Sequence, residues 1–143
     1  DNKKIKLKLV GVSKKEFTDI YGHQDNVEPL GDVYGEELYP LYVNSNALLF
    51  PSHYEGFGIP LIEAMLLGSP VLCSNIEVFN EVCDDAAIYF NQNDEIEIKN
   101  KILDIYNNKN LISDLVKKGH SRINDFDIDE CVKIFQKEID KFI

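Results

Sequence analysis

The sequence predicts an α/β fold, a parallel sheet flanked by helices. Three observations carry that expectation. Short apolar runs of strand length alternate with segments of helical period. The loops between them are short, as in crossover connections between parallel strands. The length of 143 residues suits one domain with a real core.

Taken in order, Ile5-Lys6-Leu7-Lys8-Leu9-Val10 opens with strict apolar/polar alternation and reads as a strand. Gly11 follows, and residues 14–21 can form a short helix. Val27-Glu28-Pro29-Leu30 reads as a short strand ending at Gly31-Asp32, and Pro29 argues for a sheet edge because proline donates no ladder bond. Residues 36–46 put Leu38, Leu41 and Tyr42 on one helical face, with Pro40 expected to kink the helix. Ala47-Leu48-Leu49-Phe50 is a continuous apolar run, suited to a strand buried on both faces. A loop over 51–59 leads to a helix over 60–67, opened by Pro60 and closed by Gly68. Pro70-Val71-Leu72-Cys73 reads as another buried strand, 75–82 as a short helix and Ala87-Ile88-Tyr89-Phe90 as a fifth strand. Helices over about 94–107, 111–123 and 128–142 finish the chain, with residues 106–110 as an Asn-rich turn between the first two. Cys131, Ile134, Phe135 and Ile139 form a stripe on the last helix that reads as docking onto the sheet.

Composition excludes several classes of protein. Hydrophobic residues at 44% and charged residues at 28% exclude a wholly disordered chain. Fifteen Lys and Arg against twenty-five Asp and Glu give a net charge of −10, the wrong sign for a general nucleic-acid or anionic-membrane binder. No apolar run approaches the ~18 residues of a membrane span, and the opening Asp1-Asn2-Lys3-Lys4 does not read as a signal peptide. Cys73, Cys83 and Cys131 have no CxxC spacing and read as reduced, mostly buried thiols of a cytosolic protein. His23, His53 and His120 show no metal-ligand spacing, so no metal site is expected.

The chemistry concentrates between Phe50 and Met65. In parallel α/β sheets ligands bind beyond the carboxyl ends of the strands, and the 51–59 loop lies at such an end. Gly56 and Gly58 let the backbone approach a ligand and take unusual dihedrals. The helix start after them offers unpaired N–H groups and partial positive charge, which suit a phosphate. Pro60 has no N–H, so Gly58, Ile59 and Leu61 are the expected donors. Glu55 precedes the glycines and Glu63 lies about one turn inside the helix. A carboxylate accepts two hydroxyl bonds, as a ribose cis-diol offers, so this spacing suits a nucleotide-sugar. The same residues also fit an ordinary turn, with Glu63 a solvated helix residue favoured by the dipole and Phe57 a loop anchor. Spacing alone leaves both readings open.

The segment Glu55-Gly-Phe-Gly-Ile-Pro-Leu-Ile-Glu63-Ala-Met resembles the E-x7-E motif of the retaining glycosyltransferases of the "glycosyl transferases group 1" superfamily, with GT-B architecture. The resemblance continues through Leu30-Gly-Asp-Val33, Glu36-Glu37-Leu38, Leu41-Tyr42, Gly68-Ser-Pro-Val-Leu-Cys-Ser74, residues 80–87 and Lys118-Gly119 onward, covering about residues 5–140. It implies a Rossmann-like parallel sheet flanked by helices, the C-terminal nucleotide-sugar-binding half of a GT-B fold. Residues 1–143 would then be one partial domain, lacking its first strand–helix unit and the N-terminal acceptor domain. By the same resemblance Glu55 is catalytic and contacts the transferred sugar. Glu63 holds the ribose hydroxyls, the backbone of Gly56, Phe57, Gly58, Ile59 and Leu61 meets the diphosphate and sugar, and Val33 lies against the base. No cofactor or metal is implied beyond the UDP- or GDP-linked donor as substrate.

One departure matters. The family's domain usually carries an Arg/Lys pair in an earlier strand–helix unit, and Lys3, Lys4, Lys6 and Lys8 do not match it. The expectation is therefore a fragment of a hexosyltransferase, inactive alone and prone to self-association through exposed strand edges. The donor sugar is expected to pass with retention to a glycan or lipid-linked acceptor held by the missing N-terminal domain. The acidic, Asn- and Lys-rich composition looks bacterial, and the implied setting is cytoplasmic synthesis of surface polysaccharide, with any membrane association through that domain. The alternative is a non-catalytic nucleotide-sugar-binding or assembly module of the same fold.

Overall fold

A computed structural model describes residues 5–127 of the chain. The helix expected over 128–142, with Cys131 and its apolar stripe, lies outside them. The chain divides into two compact units, Asp1–Leu41 and Tyr42–Ile143.

In the first unit β1 (Leu7–Val10) pairs in parallel with β2 (Val27–Gly31), with α1 (Lys14–Tyr21) as the crossover. Ser13 starts α1 through a capping box: its Oγ accepts from the Glu16 N–H at 3.3 Å, and Glu16 Oε2 accepts from the Ser13 N–H at 2.9 Å. Hydrogen bonding from the Ser13 side chain, and then from its backbone N–H, holds the Glu16 carboxyl below its ordinary value. Lysines alternate with the apolar residues of β1, and Leu7 stays 39% exposed and Val10 41%.

The helix expected over 36–46 is broken and shorter. Gly35–Glu37 forms a 3₁₀ turn, and α2 spans only Tyr39–Val43. Pro40 falls in the first turn of α2, where a missing N–H costs nothing, so it marks the helix start rather than a kink. Ser45 ends the helix early: its N–H and Oγ both donate to the Tyr42 carbonyl, at 3.2 and 2.9 Å.

The second unit contains a three-stranded parallel sheet in the order β3 (Leu48–Phe50), β4 (Val71–Ser74), β5 (Ala87–Phe90). Leu49 sits opposite Leu72, and Cys73 opposite Tyr89. Central β4 is buried at every position, as a strand covered on both faces must be. The helices are α3 (Ile59–Leu66), α4 (Glu77–Cys83), α5 (Glu95–Asn107) and α6 (Lys109–Ile123). Leu72, Phe90, Ile105 and Leu115 form a core packed by Leu49, Ile88, Ile102 and Leu111. The Asn-rich turn shrinks to Asn108, which caps α6 by accepting from the Leu111 N–H at 3.0 Å.

All five expected strands form and all pair in parallel, but as two hydrogen-bonded sheets instead of one. Pro29 has no N–H for a further ladder, and Gly31 spends its N–H on the Val12 carbonyl and its carbonyl on the Gly11 N–H. Cys73 and Cys83 are buried free thiols, as expected, and they interact with each other by hydrogen bonding. Hydrogen bonding to Cys83, then burial, pushes the Cys73 thiol up. Among the described residues no helix is long and apolar enough to cross a membrane.

Candidate functional site

The chain leaves the carboxyl end of β3 at Phe50, runs through the 51–58 loop and re-enters as α3. The turn depends on Gly58, which precedes α3 in the left-handed region at φ 95° and ψ 46°. A Cβ there would lie 3.0 Å from Phe79 Cε1 and 3.1 Å from Leu61 Cδ1, so dihedral and space both demand glycine. Gly56 differs from the sequence expectation. It has no positive φ, and a Cβ there would meet nothing within 4 Å.

Gly58 has no side chain to cap α3, so the first amides of the helix look outward for partners. Pro60 has none to offer. The Leu61 amide donates back to the Gly58 carbonyl at 2.9 Å, which corrects the expectation that it is an open donor. The opening turn is tight, and Leu61 instead buries its side chain completely. The amides of Gly58 and Ile59 have no hydrogen-bond partner among the described residues.

Both carboxylates are half-buried, and each is tethered by one neutral hydroxyl. Ser52 Oγ donates to Glu55 Oε1 at 3.0 Å. Tyr42 Oη donates to Glu63 Oε2 at 2.9 Å. Burial, reinforced by the Glu63 carboxylate, pushes the Tyr42 phenol well above its ordinary value, so it stays a donor. The other oxygen of each carboxylate has no hydrogen-bond partner among the described residues. The arrangement can therefore accept hydroxyls at two points and receive an anion at the amides between them in sequence.

Phe57 is 47% exposed, so it is only in part the buried anchor expected. Its ring meets Phe126 edge-on at 5.9 Å. The Arg122 guanidinium lies 5.1 Å from the centre of the Phe126 ring, and its Nε donates to the Val82 carbonyl at 3.0 Å. Glu55, Gly56, Phe57, Gly58, Ile59 and Glu63 thus lie on one strand–loop–helix run. Val33 belongs to the first unit and is not part of that run. Sequence reasoning missed Ser52, Tyr42, Arg122 and Phe126 as supports of the site. Ser52, three residues before Glu55, could have been found locally; the others are distant in sequence.

The parallel sheets flanked by helices are Rossmann-like and match the C-terminal half of a GT-B fold. Sucrose-phosphate synthase from Thermosynechococcus elongatus superposes with a TM-score of 0.77 over 95% of this chain and 38% of that one, at 23% identity. The family described as "Glycosyl transferases group 1" matches residues 1–122. This chain belongs to that family, as its C-terminal domain. It is 35% identical over 102 residues to O-antigen chain mannosyltransferase B of Escherichia coli, covering 71% of this chain and 27% of that protein. It is 38% identical over 106 residues to O-antigen chain mannosyltransferase RfbU of Salmonella typhimurium, covering 74% and 29%. The chain spans little more than a quarter of these relatives.

Proposed function

We propose that this chain is the donor-binding part of a hexosyltransferase that uses a UDP- or GDP-linked sugar to build a surface polysaccharide. The observation that carries this reading is the pair of tethered carboxylates, Glu55 and Glu63, flanking in sequence the glycine-started helix with its two unpartnered amides. Glu63 accepts the ribose hydroxyls, the Gly58 and Ile59 amides receive the diphosphate, and Glu55 accepts from the transferred hexose. The helix start supplies fixed positive charge as the diphosphate leaves, so the chemistry needs no metal. Holding sugar and leaving group together favours attack from the leaving-group face, with retention. Two relatives named as O-antigen mannosyltransferases support mannose as the hexose. The relatives' greater length supports a separate domain for the acceptor.

The test uses the full-length protein with GDP-mannose and UDP-hexoses. Glu55→Gln is expected to lower turnover by about 10²-fold or more while donor still binds, the size expected for losing one charge-stabilising group. Wild-type turnover in that variant would remove Glu55 from the mechanism. Turnover that is lost in chelator contradicts the metal-free reading.

Residues 51–66 contain no Lys or Arg, which favours a second reading, a binding or assembly module without catalysis. Donor binding without transfer to any glycan or lipid-linked acceptor would establish it.

A further inference from the structure

We propose that Tyr42 is a positioning residue for donor recognition, fixing Glu63 in the one orientation that receives the ribose diol. The inference rests on the ribose role of Glu63 and adds a residue to it. Tyr42 is 8% exposed, and its hydroxyl donates to Glu63 Oε2 at 2.9 Å. That bond leaves Oε1, together with a second lone pair on Oε2, to accept two neighbouring hydroxyls.

The tyrosine is itself held from a second side. Its carbonyl accepts from Ser45 Oγ at 2.9 Å, and Ser45 Oγ lies 2.9 Å from Ser69 Oγ. Ser69 is 3% exposed, and its N–H donates to the Ala64 carbonyl at 2.8 Å. Ala64 follows Glu63 on α3. Tyr42 is therefore tied to α3 twice, by its ring hydroxyl to a side chain and by its main chain through two serines to the backbone. A tyrosine serving only to fill space needs neither tie. The hydroxyl also remains protonated across ordinary pH, so it stays a donor to Glu63.

The experiment compares Tyr42→Phe, Glu63→Gln and the double variant of the full-length protein. Each is assayed with a nucleotide-hexose and with its 2′,3′-dideoxy counterpart. Tyr42→Phe keeps the ring and is expected to raise the donor KM about three- to tenfold with kcat nearly unchanged, as loss of one orienting hydrogen bond to a charged group should. The penalty should vanish with the dideoxy donor, and the double variant should be no worse than Glu63→Gln alone. A loss shared equally by both donors makes Tyr42 a packing residue and overturns the inference. An unchanged KM in Tyr42→Phe beside a raised one in Glu63→Gln overturns it as well. An unchanged KM in Glu63→Gln overturns the ribose role itself, and this inference with it.

Discussion

The β1–β2 pair and the β3–β4–β5 sheet share parallel pairing and short strands, yet their surroundings differ. No residue from 5 to 41 is fully buried, whereas all four residues of β4 are. The difference follows from pattern. Lys6 and Lys8 alternate with Leu7 and Leu9, so one face of β1 must keep ammonium groups in water. Leu48, Leu49 and Phe50, like Val71, Leu72 and Cys73, carry no such restriction and can be covered on both faces. The candidate site grows from the second sheet, where a packed strand and helix can hold two carboxylates in fixed positions.

The largest expected effect separates the two regions directly. Leu72→Ala should cost about 2–5 kcal/mol, the usual range for emptying a buried leucine site. Leu7→Ala should cost less, about 1 kcal/mol, because Leu7 stays 39% exposed and part of the area removed is already in water. Urea unfolding of both variants measures the gap, and equal losses would erase the contrast. Gly58→Ala comes next, at about 1–3 kcal/mol for a strained left-handed residue, with added crowding against Phe79 and Leu61. Gly56→Ala should be close to neutral for stability. A thermal melt of the pair sharpens which glycine the loop needs.

The smallest effect belongs to alkaline pH. Tyr42 and Tyr89, both in the second unit, are pushed above the ordinary phenol value of 10.0 chiefly by burial. The folded chain therefore keeps these protons after the unfolded chain releases them. Their contribution to stability is whole below the unfolded value and declines as pH rises through it toward the higher folded values. Tyr42→Phe and Tyr89→Phe should each make the alkaline decline shallower in denaturant titrations. A slope unchanged in both variants would show that other groups govern it.

Much of this was legible in sequence because strand and helix periods are local. The five strands, α1 and the Pro60-opened helix follow from residue pattern alone. The helix over 36–46 was overextended because Ser45, which caps Tyr42, looks like any polar helix residue. The division into two sheets was hidden, since period-two patterns say nothing about which strand is the neighbour. At the candidate site, the strand–loop–helix run that carries Glu55, Gly58 and Glu63 was legible in the residue pattern, whereas spacing alone left their roles open. The Leu61 amide was misassigned because only three-dimensional geometry distinguishes a tight opening turn from a regular one. The Tyr42–Glu63 bond joins residues 21 apart and needs the fold to be seen.

The most direct measurement of the central claim is a structure of the full-length protein with an intact nucleotide-sugar bound. The account predicts diphosphate oxygens within hydrogen-bond reach of the Gly58 and Ile59 amides, the ribose diol on Glu63 and the hexose on Glu55. A nucleotide-sugar seated elsewhere, with both carboxylates untouched, would contradict it.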